Sequence, residues 1–384
     1  MMKQNVRVLF VANVAKEHVL KFHVPMIKKL TDLGWTVDVA CGGDEDIPYC
    51  SSQYKLAYTR ATVNINTFKG FKQVIDIVKE NEYDIIYCHT TVGGAAGRIA
   101  SIFSKNKNVK VVFFDHGFDF CKDAPWYVWI TFYPFEKIMA KLTDAIICIN
   151  QEDYYNSKYR LKPKHRSYFI EGVGADFSKF DVDNKMVIRA QYRKNMNISD
   201  NATVLIYLAE LTPNKNQRLL IDVLEVIRKK NPDTYLVLAG FDHCDGYYMK
   251  YAKSKGLDQY VRYLGWREDV GNLYAMSDIC VASSIVEGLG LNLVEAMYSG
   301  LPVVATNNRG HSTVITDGET GFLVNQGDVL DFANKVSMLI ENEHLKNSIV
   351  TKGLSECRKY STDAVLEKLY SILLNYTPYP FIEY

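Results

Sequence analysis

Short apolar runs alternate with longer amphipathic stretches through the first half of the chain, and the alternation starts afresh in the second half. Runs that are apolar on every side suit parallel strands covered by helices on both faces, so the pattern excludes all-helical and all-strand folds. In the first half it predicts strands over Val6 to Ala12, Thr36 to Cys41, Asp84 to Cys88, Val109 to Phe114 and Ala145 to Ile149. Helices are predicted over His18 to Leu33, Phe68 to Glu80, Gly94 to Phe103 and Tyr127 to Leu142. A polar, glycine-containing stretch, E-G-V-G-A-D-F-S-K-F, follows Ile170 and reads as an interdomain hinge. Beyond it, strands are predicted over Thr203 to Ala209, Thr234 to Gly240, Val261 to Leu264, Asp278 to Ala282 and Pro302 to Thr306. Helices near Asn216 to Lys229, Cys244 to Lys255, Gly290 to Ser299 and Asp328 to Ile340 separate them, and Thr362 to Asn375 reads as a last amphipathic helix.

The expected architecture is α/β, with two Rossmann-like domains facing across a cleft. The first spans residues 1–173, the second 174–361, and residues 362–384 form a terminal helix and tail packing back on the first domain. A length of 384 residues gives each domain enough chain for its own core. A formal net charge of +1 removes any global attraction to nucleic acid or anionic lipid. The eight cysteines form no C-x-x-C pair and no zinc-ligand spacing with histidine, which suits a reducing compartment. The amino-terminal residues reach charge too early for a signal peptide and no long apolar run follows, so a cytoplasmic protein is expected.

Chemistry concentrates in Ser283 to Ser299, SSIVEGLGLNLVEAMYS, directly after the strand DICVA. Gly288 and Gly290 permit a tight turn, which lets backbone N–H groups near Leu289, Gly290 and Leu291 point outward at a helix start. Unpaired donors at the positive end of a helix suit a diphosphate. Glu287 precedes the turn and Glu295 lies in the apolar run beyond it. A carboxylate at Glu295 needs a partner, either ribose hydroxyls or a Lys or Arg from elsewhere.

The E-x7-E pattern of E-G-L-G-L-N-L-V-E, followed by A-x-x-x-G-L-P-V-V-A-T, resembles the donor site of retaining glycosyltransferases of family 4, fold type GT-B. Asp317 with Gly318 to Val324, Tyr263 to Trp266, and Leu273 to Asp278 match further family segments. Phe22 to Pro25 and Asp115 to Phe120 resemble the branch that builds bacterial capsule and exopolysaccharide. The resemblance implies that Glu287 holds hydroxyls of the donor sugar, Glu295 the ribose, and Lys215 the departing diphosphate. It implies as well that His116 reaches the donor sugar from the first domain, and that the Gly288 to Asn292 turn, with Asn292 closing it, binds the donor.

The chain departs from the family at Ala209 and Glu210, where relatives place Gly-Arg, so the usual arginine clamp is missing. Arg218 is either its substitute or a solvated helix residue. Ala12-Asn13-Val14 replaces a glycine pair at the end of the first strand. His23 is either acceptor-facing or capping, and His311 reads as a loop residue able to face the cleft. The aromatic segment from Ala124 to Leu142 either docks on a membrane or covers the first sheet.

The expected function is transfer of a hexosyl unit, with retention, from a nucleotide sugar (a UDP-sugar) to a hydroxyl of a growing, lipid-linked glycan. No cofactor, metal ligand or nucleic-acid partner is expected, and peripheral contact with the inner face of the cell membrane is. The rivals are a UDP-sugar 2-epimerase and a non-catalytic nucleotide-sugar-binding subunit.

Overall fold

The computed structural model describes residues 6–58, 65–122 and 124–378. Residues 1–5, part of the stretch that bears on a leader, lie outside them. The chain forms two compact units: residues 1–174 with 362–384, and residues 175–361.

The first unit carries a parallel seven-stranded sheet. Its strands are β1 (Arg7–Val14), β2 (Thr36–Gly42), β3 (Ser52–Leu56), β4 (Ile85–His89), β5 (Lys110–Phe114), β6 (Ala145–Cys148) and β7 (Arg166–Phe169), in the order β3-β2-β1-β4-β5-β6-β7. β1 pairs with β4 in the register Val8↔Ile85 to Val11↔Cys88. Leu9, Val11, Ile86, Phe113 and Ile146 form the core on one side of the sheet, each buried almost completely. At ~1.5–3 kcal/mol per buried large side chain, these central strands dominate the unit's stability. The helix Thr91–Ala100 lies directly on the sheet because its glycines leave room. A Cβ at Gly93 would stand 2.8 Å from Cα of Ala12.

The helix Trp126–Ala140 is anchored by a fully buried ion pair. Arg98 donates to both carboxylate oxygens of Glu136 at 2.6 and 2.9 Å and stacks over the Phe113 ring. That anchor turns Trp126, Tyr127, Ile130 and Ile138 outward, where they are 55–73% exposed. Trp126 and Tyr127 therefore do not cover the sheet, whereas Trp129 and Tyr133 of the same helix pack against its core. Lys137 donates to the Arg160 and Leu161 carbonyls. The terminal helix Thr362–Leu374 returns to this unit through Lys29–Glu367 and Lys368–Glu171, each 2.6 Å, as the sequence predicts.

The second unit carries a parallel six-stranded sheet of β8 (Thr203–Leu208), β9 (Thr234–Ala239), β10 (Val261–Tyr263), β11 (Ile279–Ala282), β12 (Val303–Thr306) and β13 (Phe322–Val324). The order is β10-β9-β8-β11-β12-β13. Both sheets are therefore doubly wound, with strand order reversing between β1 and β4 and between β8 and β11. The charged segment before β8 contains a helix, Lys185–Asn195, that is not among those the sequence predicts. Its Arg189 and Arg193 grip Asp278, at the foot of β11, at 2.6 and 2.7 Å.

Candidate functional site

In the second unit three loops leave the adjacent strands β8, β11 and β12 and meet at the strands' carboxyl ends. Asn214 stitches the first two together: its side chain donates to the Val286 carbonyl and accepts from Val286 N–H, and its carbonyl accepts from Ile285 N–H at 2.8 Å. Ser283 Oγ donates to the Lys215 carbonyl at 2.7 Å. The third loop joins through the Ser284 carbonyl, which accepts from Thr306 Oγ1 at 2.7 Å and Asn308 Nδ2 at 2.9 Å. Every loop is thus fixed by hydrogen bonds to the backbone of its neighbour.

This scaffold brings Lys215 and Glu287 into a direct ion pair, with Nζ donating to Oε1. The side chains are only 26% and 15% exposed. Burial pushes the Glu287 carboxyl up, but the Lys215 ammonium outweighs it and holds the group below its usual 4.5. His311 is fully buried beside them. Its Nδ1 lies 2.7 Å from the Thr306 carbonyl, which assigns the proton to Nδ1 and leaves Nε2 as an acceptor. Nε2 is buried and has no hydrogen-bond partner among the described residues. Burial holds this imidazole below its usual 6.5, hence neutral.

The turn after Glu287 behaves as its glycines require. Gly290 adopts φ +90° and opens the helix Leu291–Tyr298. Gly290 offers no side chain to cap that helix, so the first-turn N–H groups of Leu291 and Asn292 remain available to a ligand. A Cβ at Gly290 would lie 3.0 Å from His311 Cδ2, which puts the imidazole against the turn. Leu289 is buried, and Gly288 and Asn292 are half-buried. Glu295, also half-buried, accepts a long 3.5 Å contact from Tyr274 Oη, which bonds more closely to the Asn292 carbonyl at 2.9 Å. Arg218 is exposed, its guanidinium 4.9 Å above the Tyr251 ring. Arg309 is the basic group nearer the turn, its Nε donating to the Glu287 carbonyl at 3.3 Å. In the sequence Arg309 is marked only by the polar run N-N-R-G-H after a strand end, which does not single it out.

In the first unit His116 stands two residues beyond β5 and faces three other imidazoles. His18 follows β1 in the π-turn Ala15–Val19, His23 ends the next turn, and His89 is the last residue of β4. His23 therefore packs inside this cluster, 4.0 Å from His89 between ring centroids, and its side chain caps no helix. Nothing in the sequence around His18 or His89 points to a role for either. Their convergence is invisible in sequence spacing because it is made by strand order.

Two doubly wound units, with a lysine–glutamate pair and an open helix start at the sheet edge of the second, make up an architecture of the GT-B type. A solved Anabaena structure named HepE, in complex with UDP and glucose, shares the fold with a TM-score of 0.78 at 19% identity, covering 96% of this chain and 99% of that one. Residues 188–355 match the family profile of glycosyl transferases group 1, and residues 7–150 match glycosyl transferase 4-like. EpsD of Bacillus subtilis (strain 168), named as a glycosyltransferase, is 34% identical over 370 residues, covering 96% of this chain and 97% of the relative. An Escherichia coli UDP-Gal:alpha-D-GlcNAc-diphosphoundecaprenol alpha-1,3-galactosyltransferase is 28% identical over 73% of each chain. The chain belongs to this glycosyltransferase family, and it is a glycosyltransferase.

Proposed function

We propose that the chain moves a hexosyl unit, with retention of configuration, from a UDP-sugar to a hydroxyl of a growing lipid-linked surface glycan. The observation that carries this reading is the Lys215–Glu287 pair beside the uncapped helix start at Gly290. Negative charge grows on the diphosphate as the glycosidic bond breaks, and a fixed ammonium with aligned N–H groups stabilises it without a metal. Lys215 is held at hand by Glu287 until a diphosphate competes for it. Glu287 then serves the sugar hydroxyls, and Glu295 the ribose. His311 Nε2 adds an unpaired acceptor for a hydroxyl, Arg309 is a guanidinium bonded beside the turn that can take the place of the missing clamp, and His116 is the first unit's contribution to the donor sugar.

The nucleotide and the acceptor rest on likeness to relatives. The Escherichia coli relative's name specifies UDP-galactose and a diphosphoundecaprenol-linked acceptor. Among the described residues no helix is long and apolar enough to cross a membrane. The outward face of Trp126–Ala140, with Trp126, Tyr127 and Ile130 in a row, would bring the first unit to the bilayer that carries such an acceptor.

Calorimetric titration with UDP, GDP and ADP, on the wild-type chain and on Glu295→Ala and Lys215→Ala, tests the donor reading. One nucleotide, UDP, is expected to bind, and both substitutions to weaken it. Absence of nucleotide binding, or binding indifferent to both residues, would overturn the reading in favour of a non-catalytic subunit, which the loss of arginine at Glu210 otherwise suggests.

A further inference from the structure

The imidazoles of His18, His23, His89 and His116 each present one ring nitrogen, and these nitrogens all lie within 4.8 Å of one another. They come from the carboxyl ends of three adjacent strands, β1, β4 and β5. His23 and His89 form a buried floor, 2% and 0% exposed, and His18 and His116 are the half-buried rim. His18 Nε2 and His23 Nε2 already stand 3.1 Å apart.

The hydrogen-bond account of this cluster does not close. Neither ring nitrogen of His89 has a partner among the described residues, and Nε2 of His116 has none either. Each buried orphan costs ~1–3 kcal/mol. Aromatic packing on Phe10 and Phe114 explains the ring positions but not the unpaired nitrogens. A shared cation satisfies one lone pair from each ring at once. Each neutral imidazole carries one lone pair on a ring nitrogen, which a metal ion can take as a ligand bond.

We propose that these four histidines bind one divalent transition-metal ion of the zinc class. Nitrogens ~2.1 Å from a common tetrahedral ion stand ~3.4 Å apart, so the cluster needs only a modest contraction of its widest pairs. A set of four imidazoles, with neither thiolate nor carboxylate among them, selects zinc, nickel or copper over magnesium and calcium. With all four positions filled by protein the ion is of the closed, structural kind, tying the π-turn after β1 to the ends of β4 and β5. An ion on Nε2 of His116 leaves the Nδ1–H of that ring as a donor, so the site is compatible with contact to a sugar hydroxyl. The inference shares only His116 with the donor reading, which otherwise rests on residues of the second unit.

The test uses the full chain, stripped with a chelator and titrated with Zn2+ against a chromophoric competitor, and in parallel with Co2+ by visible absorption. One Zn2+ per chain is expected, with intense tetrahedral Co2+ bands. His18→Gln and His116→Gln, at the rim where folding is least at risk, should each weaken binding by more than ~10-fold, as loss of a ligand exceeds loss of an outer partner. His243→Gln, which lies beside Glu210 in the other unit, should leave it unchanged. Absence of stoichiometric binding, a weak octahedral Co2+ spectrum, or affinity that survives both rim substitutions would overturn the assignment. The wild-type cobalt spectrum decides the case even if a variant fails to fold.

Discussion

The Lys215–Glu287 pair makes opposite demands on stability and on catalysis, which yields a discriminating experiment. Replacing Lys215 with Met keeps the length of the stem and removes the charge, leaving a carboxylate that is 15% exposed without its ammonium. Breaking a buried pair by removing one partner costs ~3–5 kcal/mol. Lys215 retains 26% exposure, so solvent screening brings the cost to or below the bottom of that range, about 2–3 kcal/mol. For a unit of this size each kcal/mol shifts the melting temperature by ~2–4 °C, giving a drop of roughly 4–12 °C in the transition of the second unit. Glu287→Gln alone leaves a lysine that can reach solvent and should cost about 1 kcal/mol or less. The double variant Lys215→Met/Glu287→Gln removes both charges and should recover most of the loss.

Activity should not recover with stability. Loss of one electrostatic stabiliser of the transition state costs ~10²–10³ in kcat, so both variants carrying Lys215→Met should be slowed to that extent. The assay pairs thermal denaturation with donor turnover in the presence of acceptor. If Lys215→Met melts and turns over like wild type, the pair is a surface contact and the reasoning fails. If the double variant regains activity along with stability, the lysine acts on the fold alone and not on the leaving group.

Gly290→Ala meets both a positive φ of +90° and a 3.0 Å approach to His311, so it should destabilise by ~1–2 kcal/mol. It should also weaken UDP binding measured by calorimetry. Arg98→Met leaves Glu136 buried and unpaired, and should cost ~3–5 kcal/mol in denaturant unfolding of the first unit. Trp126→Ser with Ile130→Ser should reduce co-sedimentation with anionic vesicles while leaving UDP affinity unchanged. Glu287 is held below its usual 4.5, so its contribution is present above that value and is lost as pH falls through the lower folded value. The stability gap between wild type and Glu287→Gln should therefore narrow below pH ~4.5, which acid titration of the melting temperature checks.

What the sequence discloses follows from burial. β1, β4, β5, β8, β11 and β12 are covered on both faces, and their residues form unbroken apolar runs that read plainly as strands. β3 (SQYKL) and β7 (RSYF) lie at sheet edges, half covered, and keep polar residues that hide them. β13 is only FLV, too short to signal itself. The helix Lys185–Asn195 reads as a charged loop because its buried residue is Arg193, whose charge is met by Asp278, 85 positions away. At the donor site, Glu287 and the glycine turn are legible because one local segment carries them. Lys215, 72 residues distant, enters only through family resemblance, since nothing in its own surroundings announces a carboxylate partner.

The two units place their polar groups at equivalent positions, and strand order explains why. β1, β4 and β5 hold the same places in the first sheet as β8, β11 and β12 in the second. His18 and His23 follow β1 as Lys215 follows β8; His89 ends β4 as Glu287 follows β11; His116 follows β5 as His311 follows β12. Where strand order reverses, the loops on either side leave in opposite directions, and the gap exposes backbone and side chains that elsewhere would be covered. Burial beneath that gap is deep enough to keep imidazoles neutral and to hold a lysine against a glutamate. One topology thus provides two similar polar recesses, and the residue types in them separate their chemistry. A cation with a carboxylate beside a helix start suits an anionic leaving group, while four neutral imidazoles suit a metal ion.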